Sequence, residues 1–368
     1  LHNYLMWQLI NNYIDDLSWD YVHARRDFIN TMYGTKDASS GYANCFQVVG
    51  NYATNILEQI KEEMYQAISS FSWMTDDNKQ SAKTKVKEGL YKIGYPDFMV
   101  NDTYMDSLHS IITINESDYF SNVVSLNLIS RQKFSDLIAK PNSKTLWAYS
   151  VYAARIEYYN PWHELIATAG MIQSPLFAHN GPAYYNFGGV GSLLARSLIH
   201  AVDEIGSIYK LDQTNPGIWW SQFTQQHFKD IKQCAIDAQK DTPIGPFVVS
   251  EGSSYTPNST FIASAYVPEL LADASGLKLS YKAYNAKMTR AGTEKIPAGF
   301  PNYSLNKLFF IAFAQINVAY FGNYNFHSNA MFSVARVNMA VSQLQEFRDT
   351  FGCKVGDPMA PAKTCTLF

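Results

Sequence analysis

The sequence contains no run of about 18 apolar residues, the length a helix needs to cross a bilayer, so no membrane span is expected within it. Long basic runs are missing too, and with a formal net charge of -3 this argues against nucleic acid as the main partner. There is no internal repeat and no low-complexity tract, which excludes solenoid arrays and disordered linkers. The first residues, "LHNYLMWQLINNYIDDL", lack a charged stretch followed by an apolar core and a cleavage site. They read as an amphipathic helix already under way, so any signal or anchor is expected upstream. Cysteines number only four. Cys234 and Cys365 lie far apart, as expected if a bridge pins the tail to a helix; buried thiols are the other reading.

What is present is length and aromatic content. The 368 residues suffice for a sizeable core, in one large domain or two, and aromatics make up 15% of them, 25 being tyrosines. N-x-[S/T] sequons stand at Asn101, Asn115, Asn258 and Asn302, mild evidence for a secreted glycoprotein.

Apolar residues recur at helical spacing in "YLMWQLINNYI", "YATNILEQIKEEMYQAISSFSWM" and "NKQSAKTKVKEGLYKI", with breaks at "YGTKDASSGY" and "IGYPD". This pattern predicts a helical segment over residues 1–118 and a second domain over 119–368 opened by the helix "DYFSNVVSLNLISRQKF". From Trp147 to Gln173 short β-branched and aromatic runs flank Asn160-Pro161, which predicts two strands of a small sheet joined by a turn. Helices are expected to resume at Gly188.

The stretch "GGVGSLLARSLIHAVDEIG", residues 188–206, has the layout of a zinc-binding helix with its chemistry altered. A thermolysin-type site needs histidines at i and i+4, a glutamate beside the first to activate water, and a distant third ligand. Here His200 stands at the second position, but Arg196 occupies the first and a guanidinium has no lone pair for a metal. Ser197 holds the position of the base, and an unaided hydroxyl does not take a proton from water near neutral pH. Downstream, "VPELLADASGL" places Glu269 and Asp273 four apart on another helix, with Pro268 in its first turn.

Together with "IWW" at 218–220, "LFFIAFAQ" at 308–315, "CTLF" at the end, and "FSWMTDDNKQSAKTKV" and "KIGYPD" upstream, these motifs resemble the neprilysin and endothelin-converting enzyme family of zinc endopeptidases, over the C-terminal half of its ectodomain. The resemblance implies a mainly α (α+β) fold: a helical, gluzincin-type metallopeptidase core with a small sheet, plus part of a second all-helical domain. It places the first zinc histidine on Arg196, the catalytic glutamate on Ser197, the second histidine on His200 and the glutamate ligand on Glu269. It gives Asp203 and Asp273 as the aspartates around the site; the family's counterpart of Asp273 orients a ligand histidine. The substrate-binding Asn-Ala pair falls on Arg155 and Ile156, and the substrate-binding arginine on Arg336. Counting back from Arg336 puts the transition-state histidine on Ala330, with His327 three residues out of register.

The resemblance also implies a Cys234–Cys365 bond, and pairs Cys45 and Cys353 with an N-terminal region not found in this sequence. Those two then pair with another chain, pair with each other, or stay free. A partner is therefore expected, either a second polypeptide or a copy of this chain, covering the face of that region; a peptide is a further candidate ligand. With a ligand, the base, the substrate asparagine and the oxyanion donor all changed, the expected protein is a secreted, zinc-free, non-hydrolytic binding module. The guanidinium of Arg196 is expected to pair with Glu269, and His200 to be a hydrogen-bonded core histidine. The alternative is an enzyme with a rebuilt metal site using His200, Glu269 and Asp203 or Asp273.

Overall fold

The computed structural model describes residues 41–138, 145–151, 153–179, 181–211, 217–250, 253–317 and 333–368. The helix expected near residue 4, most of the break after it, Ala330 and His327 lie outside these residues.

Helix α1 (Gly41–Ser69) and helix α2 (Asp76–Glu88) come first, followed by strand β1 (Leu90–Gly94). The helical spacing of "NKQSAKTKVKEGLYKI" thus overstates the helix: it stops at Glu88, the amide of Gly89 caps the carbonyl of Lys85, and "LYKIG" pairs as a strand. Then come α3 (Asp102–His109) and α4 (Tyr119–Ile138). Strands β2 (Ile156–Tyr159) and β3 (Glu164–Thr168) run antiparallel, with Tyr158 opposite Leu165, around a 3-10 turn at Asn160–Trp162. His163 closes that turn in the left-handed region at φ 51°. This is the expected hairpin, extended to a three-stranded sheet in the order β1-β3-β2.

Helices α5 (Ala183–Asn186) and α6 (Ser192–Ile199) follow, joined by a π-helical segment at Phe187–Gly191. Next are α7 (Gln222–Gln239), the hairpin of β4 (Phe247–Ser250) and β5 (Ser253–Tyr255), and α8 (Ser259–Ala265). The chain closes with α9 (Val267–Ala291), α10 (Leu305–Ile316), α11 (Ser333–Ser342) and α12 (Gln345–Phe351).

Two compact units result, one of Leu1–Val49 with Gly94–Val151 and the other of Gly50–Ile93 with Tyr152–Phe368. The division therefore does not fall at 118/119. Residues 50–93 belong with the second unit, where their apolar face is covered: Ile56, Leu57, Ile60 and Met64 are fully buried. Trp73 packs edge-on against Trp220 and beside Phe228, and its indole N–H donates to the Leu367 carbonyl. The chain's last residues are fixed on the same side by a disulfide from Cys234 on α7 to Cys365, with Cα atoms 5.9 Å apart. Cys353 is free and half-buried, and the Cys45 side chain lies outside what is described.

Candidate functional site

Helix α6 is nearly buried all round, with Leu194, Ala195, Leu198 and Ile199 fully covered, so it belongs to the interior of its unit. It crosses α9 at a point that only glycine permits. A Cβ on Gly276 would lie 2.5 Å from the Arg196 amide nitrogen and 2.7 Å from its Cα. With the backbones in contact there, Asp273 and Glu269, one and two turns earlier on α9, come level with the Arg196 side chain. On the other side of α9, Leu270 packs with Ala335 and Met339 of α11 in a cluster that includes Ile244, Ile262 and Ala263. That packing brings Arg336 to Asp273.

The guanidinium of Arg196 donates through Nη2 to Glu269 Oε2, and its Nε lies 2.7 Å from Asp273 Oδ1. The second contact is an ion pair without the alignment of a hydrogen bond, which leaves that N–H without an aligned acceptor. Arg336 approaches Asp273 from α11 and donates twice, Nε to Oδ2 at 3.1 Å and Nη2 to Oδ1 at 3.2 Å. Asp273, with 5% of its side chain exposed, is thus clasped by two guanidiniums. Burial pushes the Arg196 pKa down, Asp273 opposes this and Arg336 adds to it, yet an arginine keeps its charge under all these influences. Two cations and two carboxylates balance.

His200 follows the last residue of α6. Its Nδ1 is 2.5 Å from Asp203 Oδ2, and its Nε2 faces Glu269 Oε2 at 3.7 Å. Asp203 is fully used: its other oxygen accepts the backbone N–H groups of Ile205 and Gly206 at 2.9 and 3.0 Å, which folds the turn after the helix. Lys85, from α2, secures the same turn from below, donating to the carbonyls of Gly206 at 2.7 Å and Tyr209 at 3.0 Å. Burial pushes its pKa down to about 7, against an opposing pull from Asp203.

The expected pairing of Arg196 with Glu269 is present, as is a hydrogen-bonded His200. The sequence did not signal the double clasp on Asp273, which the resemblance gives as a ligand-orienting group, nor the part played by Lys85. Ser197 is buried, and its hydroxyl has no hydrogen-bond partner among the described residues. Arg155 and Ile156 stand at the start of β2, an edge strand, where the Arg155 side chain is largely exposed and lies 4.0 Å from Glu157.

These donors do not suit zinc. A tetrahedral site needs at least three lone-pair donors on one point. Here the third direction is filled by a guanidinium that donates into the glutamate, and no group of three or more His, Cys, Asp or Glu suited to a metal exists among the described residues.

Comparison with known proteins bears on the fold and its lineage. The model of peptidase family M13 matches residues 157–367, more than half of the chain. Endothelin-converting enzyme 1 of Rattus norvegicus is 27% identical over 398 aligned residues, which take in all of this chain and 50% of that protein. Among solved structures, the Mycobacterium tuberculosis zinc metalloprotease Zmp1 in complex with inhibitor matches with a TM-score of 0.68 at 18% identity, over 98% of this chain and 56% of that one. A Haemonchus galactose-containing glycoprotein complex matches with a TM-score of 0.69 at 19% identity, over 86% and 50% respectively. The chain spans about half the length of the curated relatives it matches.

Proposed function

The chain belongs to peptidase family M13, and from that premise we propose that it is a member without hydrolytic activity, serving as a secreted protein- or peptide-binding scaffold. The observation that carries this reading is the guanidinium of Arg196 bonded to Glu269, the carboxylate that the family resemblance makes a zinc ligand. A hydrolase of this type needs the metal to polarise the scissile carbonyl and to lower the pKa of bound water. The Arg196 guanidinium has no lone pair to hold the metal, and the Ser197 hydroxyl is too weak a base to take a proton from water.

Secretion is supported by the Cys234–Cys365 disulfide, a bond that persists in oxidising compartments, and by the sequon asparagines, all four of which are exposed. Work within a larger assembly is supported by the exposed apolar side chains gathered on α4, Tyr119, Phe120, Val124 and Leu128, with Phe120 at 77%. The Haemonchus structure that shares the fold is itself described as a glycoprotein complex. The partner is a second polypeptide or another copy of the chain, and native mass spectrometry giving only a monomer near 41.6 kDa overturns that part of the reading.

The rebuilt-metal-site alternative draws on the 3.7 Å approach of His200 Nε2 to Glu269 Oε2. Against it, both oxygens of Asp203 and both of Asp273 are already engaged. Metal analysis of protein purified without chelators, beside a fluorogenic peptide assay, separates the two. No bound metal and no cleavage are expected; one zinc per chain with chelator-sensitive cleavage defeats the proposal.

A further inference from the structure

The half of the site that resembles a metal centre has kept its geometry. Two nitrogen or oxygen ligands on one tetrahedral zinc at about 2.0–2.1 Å stand about 3.3 Å apart. His200 Nε2 and Glu269 Oε2 are 3.7 Å apart, both directed to the space that the Arg196 guanidinium enters. Asp203 holds His200 by Nδ1, which leaves Nε2 as the ring nitrogen facing that space, the arrangement by which a carboxylate orients a ligating imidazole. The packing that sets these positions is close, because α6 and α9 approach backbone to backbone at Gly276.

We infer that Arg196 is a built-in cation that closes a latent zinc site, so that one covalently attached positive charge does the structural work of the ion and the fold is indifferent to metal. This deepens the reading of a zinc-free member and rests on it. The charge accounting supports it. With Arg196 and Arg336 present, Glu269 and Asp273 are matched charge for charge. Without Arg196, Asp273 keeps Arg336 but Glu269 has no arginine beside it, in a partly buried place where a lost partner is costly. A divalent ion held by a histidine at 196, His200 and Glu269 restores the balance by other means.

The test follows melting temperature and bound metal, not activity, for wild type, Arg196→Met and Arg196→His, each in chelator and in zinc chloride. Wild type is expected to melt at one temperature in both conditions. Arg196→Met loses roughly 6 °C or more and zinc returns none of it. Arg196→His is equally weakened in chelator, regains most of the loss with zinc, and binds one ion per chain; adding Glu269→Gln then weakens zinc affinity about tenfold or more. If Arg196→His does not fold in chelator, refolding with zinc is the readout, and recovery supports the inference. The inference is overturned by an Arg196→Met protein as stable as wild type, by zinc having no effect on folding or melting of Arg196→His, or by zinc bound equally well after Glu269→Gln. Zinc in the wild type defeats the zinc-free reading itself. A zinc-free wild type with an indifferent Arg196→His defeats only the latent site.

Discussion

The site has two halves that can be compared directly. Around His200 the chain keeps an imidazole fixed by a carboxylate, with that carboxylate fixed in turn by backbone amides and the turn beneath held by Lys85. Around Arg196 a guanidinium stands where the family resemblance expects a ligand, and the neighbouring carboxylates pair with it. The first half is a chain of hydrogen bonds running from the imidazole through one carboxylate to the backbone of the turn. The second is a charge lattice in which Asp273 serves two arginines at once. Asp273 can therefore stay buried without a ligand histidine to orient, because a carboxylate beside a cation is as well compensated as one beside an imidazole.

That contrast breaks hardest at Asp273. Replacing it by Ala strips both guanidiniums of their shared acceptor while they remain packed against α9, and a loss of about 3–5 kcal/mol of folding stability is expected from urea titration. If the two halves are equivalent, Asp203→Ala should cost as much. The expected cost is smaller: that change frees two neutral backbone N–H groups, one of them buried, and releases one imidazole, a loss of about 2 kcal/mol, with no guanidinium stripped of a carboxylate. A double substitution near the sum of the two shows independent halves. A clear shortfall shows coupling through the facing His200 and Glu269.

Much of this was legible beforehand. The helix carrying Arg196, Ser197 and His200, the glutamate four residues before Asp273, the hairpin at Asn160-Pro161 and the Cys234–Cys365 bridge could all be read from spacing and resemblance. What escaped was long-range. Strand β1 was hidden in a helical run because Gly89 is a weak stop signal beside so many charged helix formers. The discontinuous unit boundary was invisible because the contacts of Trp73 with Trp220, Phe228 and Leu367 join residues 147 or more apart, and nothing local announces them. Nothing in the spacing of the lysines singles out Lys85; only tertiary packing shows it buried beneath the turn of Asp203.

Lys85 also gives the smallest of the expected effects and the finest probe of the His200 half. Its pKa lies near 7 in the folded protein and near 10.5 when unfolded, because burial disfavours the charged form. Between those values the unfolded chain binds more protons than the native one, so the group's contribution to stability rises with pH, starting near 7 and ending near 10.5. Below about 7 both states are protonated and the cost of burying the ammonium is fully felt. From pH 7 to 8 the gain is about 1 kcal/mol, read as the difference in slope between wild type and Lys85→Met in denaturant melts at each pH. Asp203 raises the lysine's pKa against the larger effect of burial, so Asp203→Ala should move the rise to lower pH. Parallel slopes for wild type and Lys85→Met would mean that the ammonium is hydrated, and that the turn carrying His200 is held by Asp203 and the Trp219 indole, which donates to Gly206 at 2.9 Å, without a buried charge beneath it.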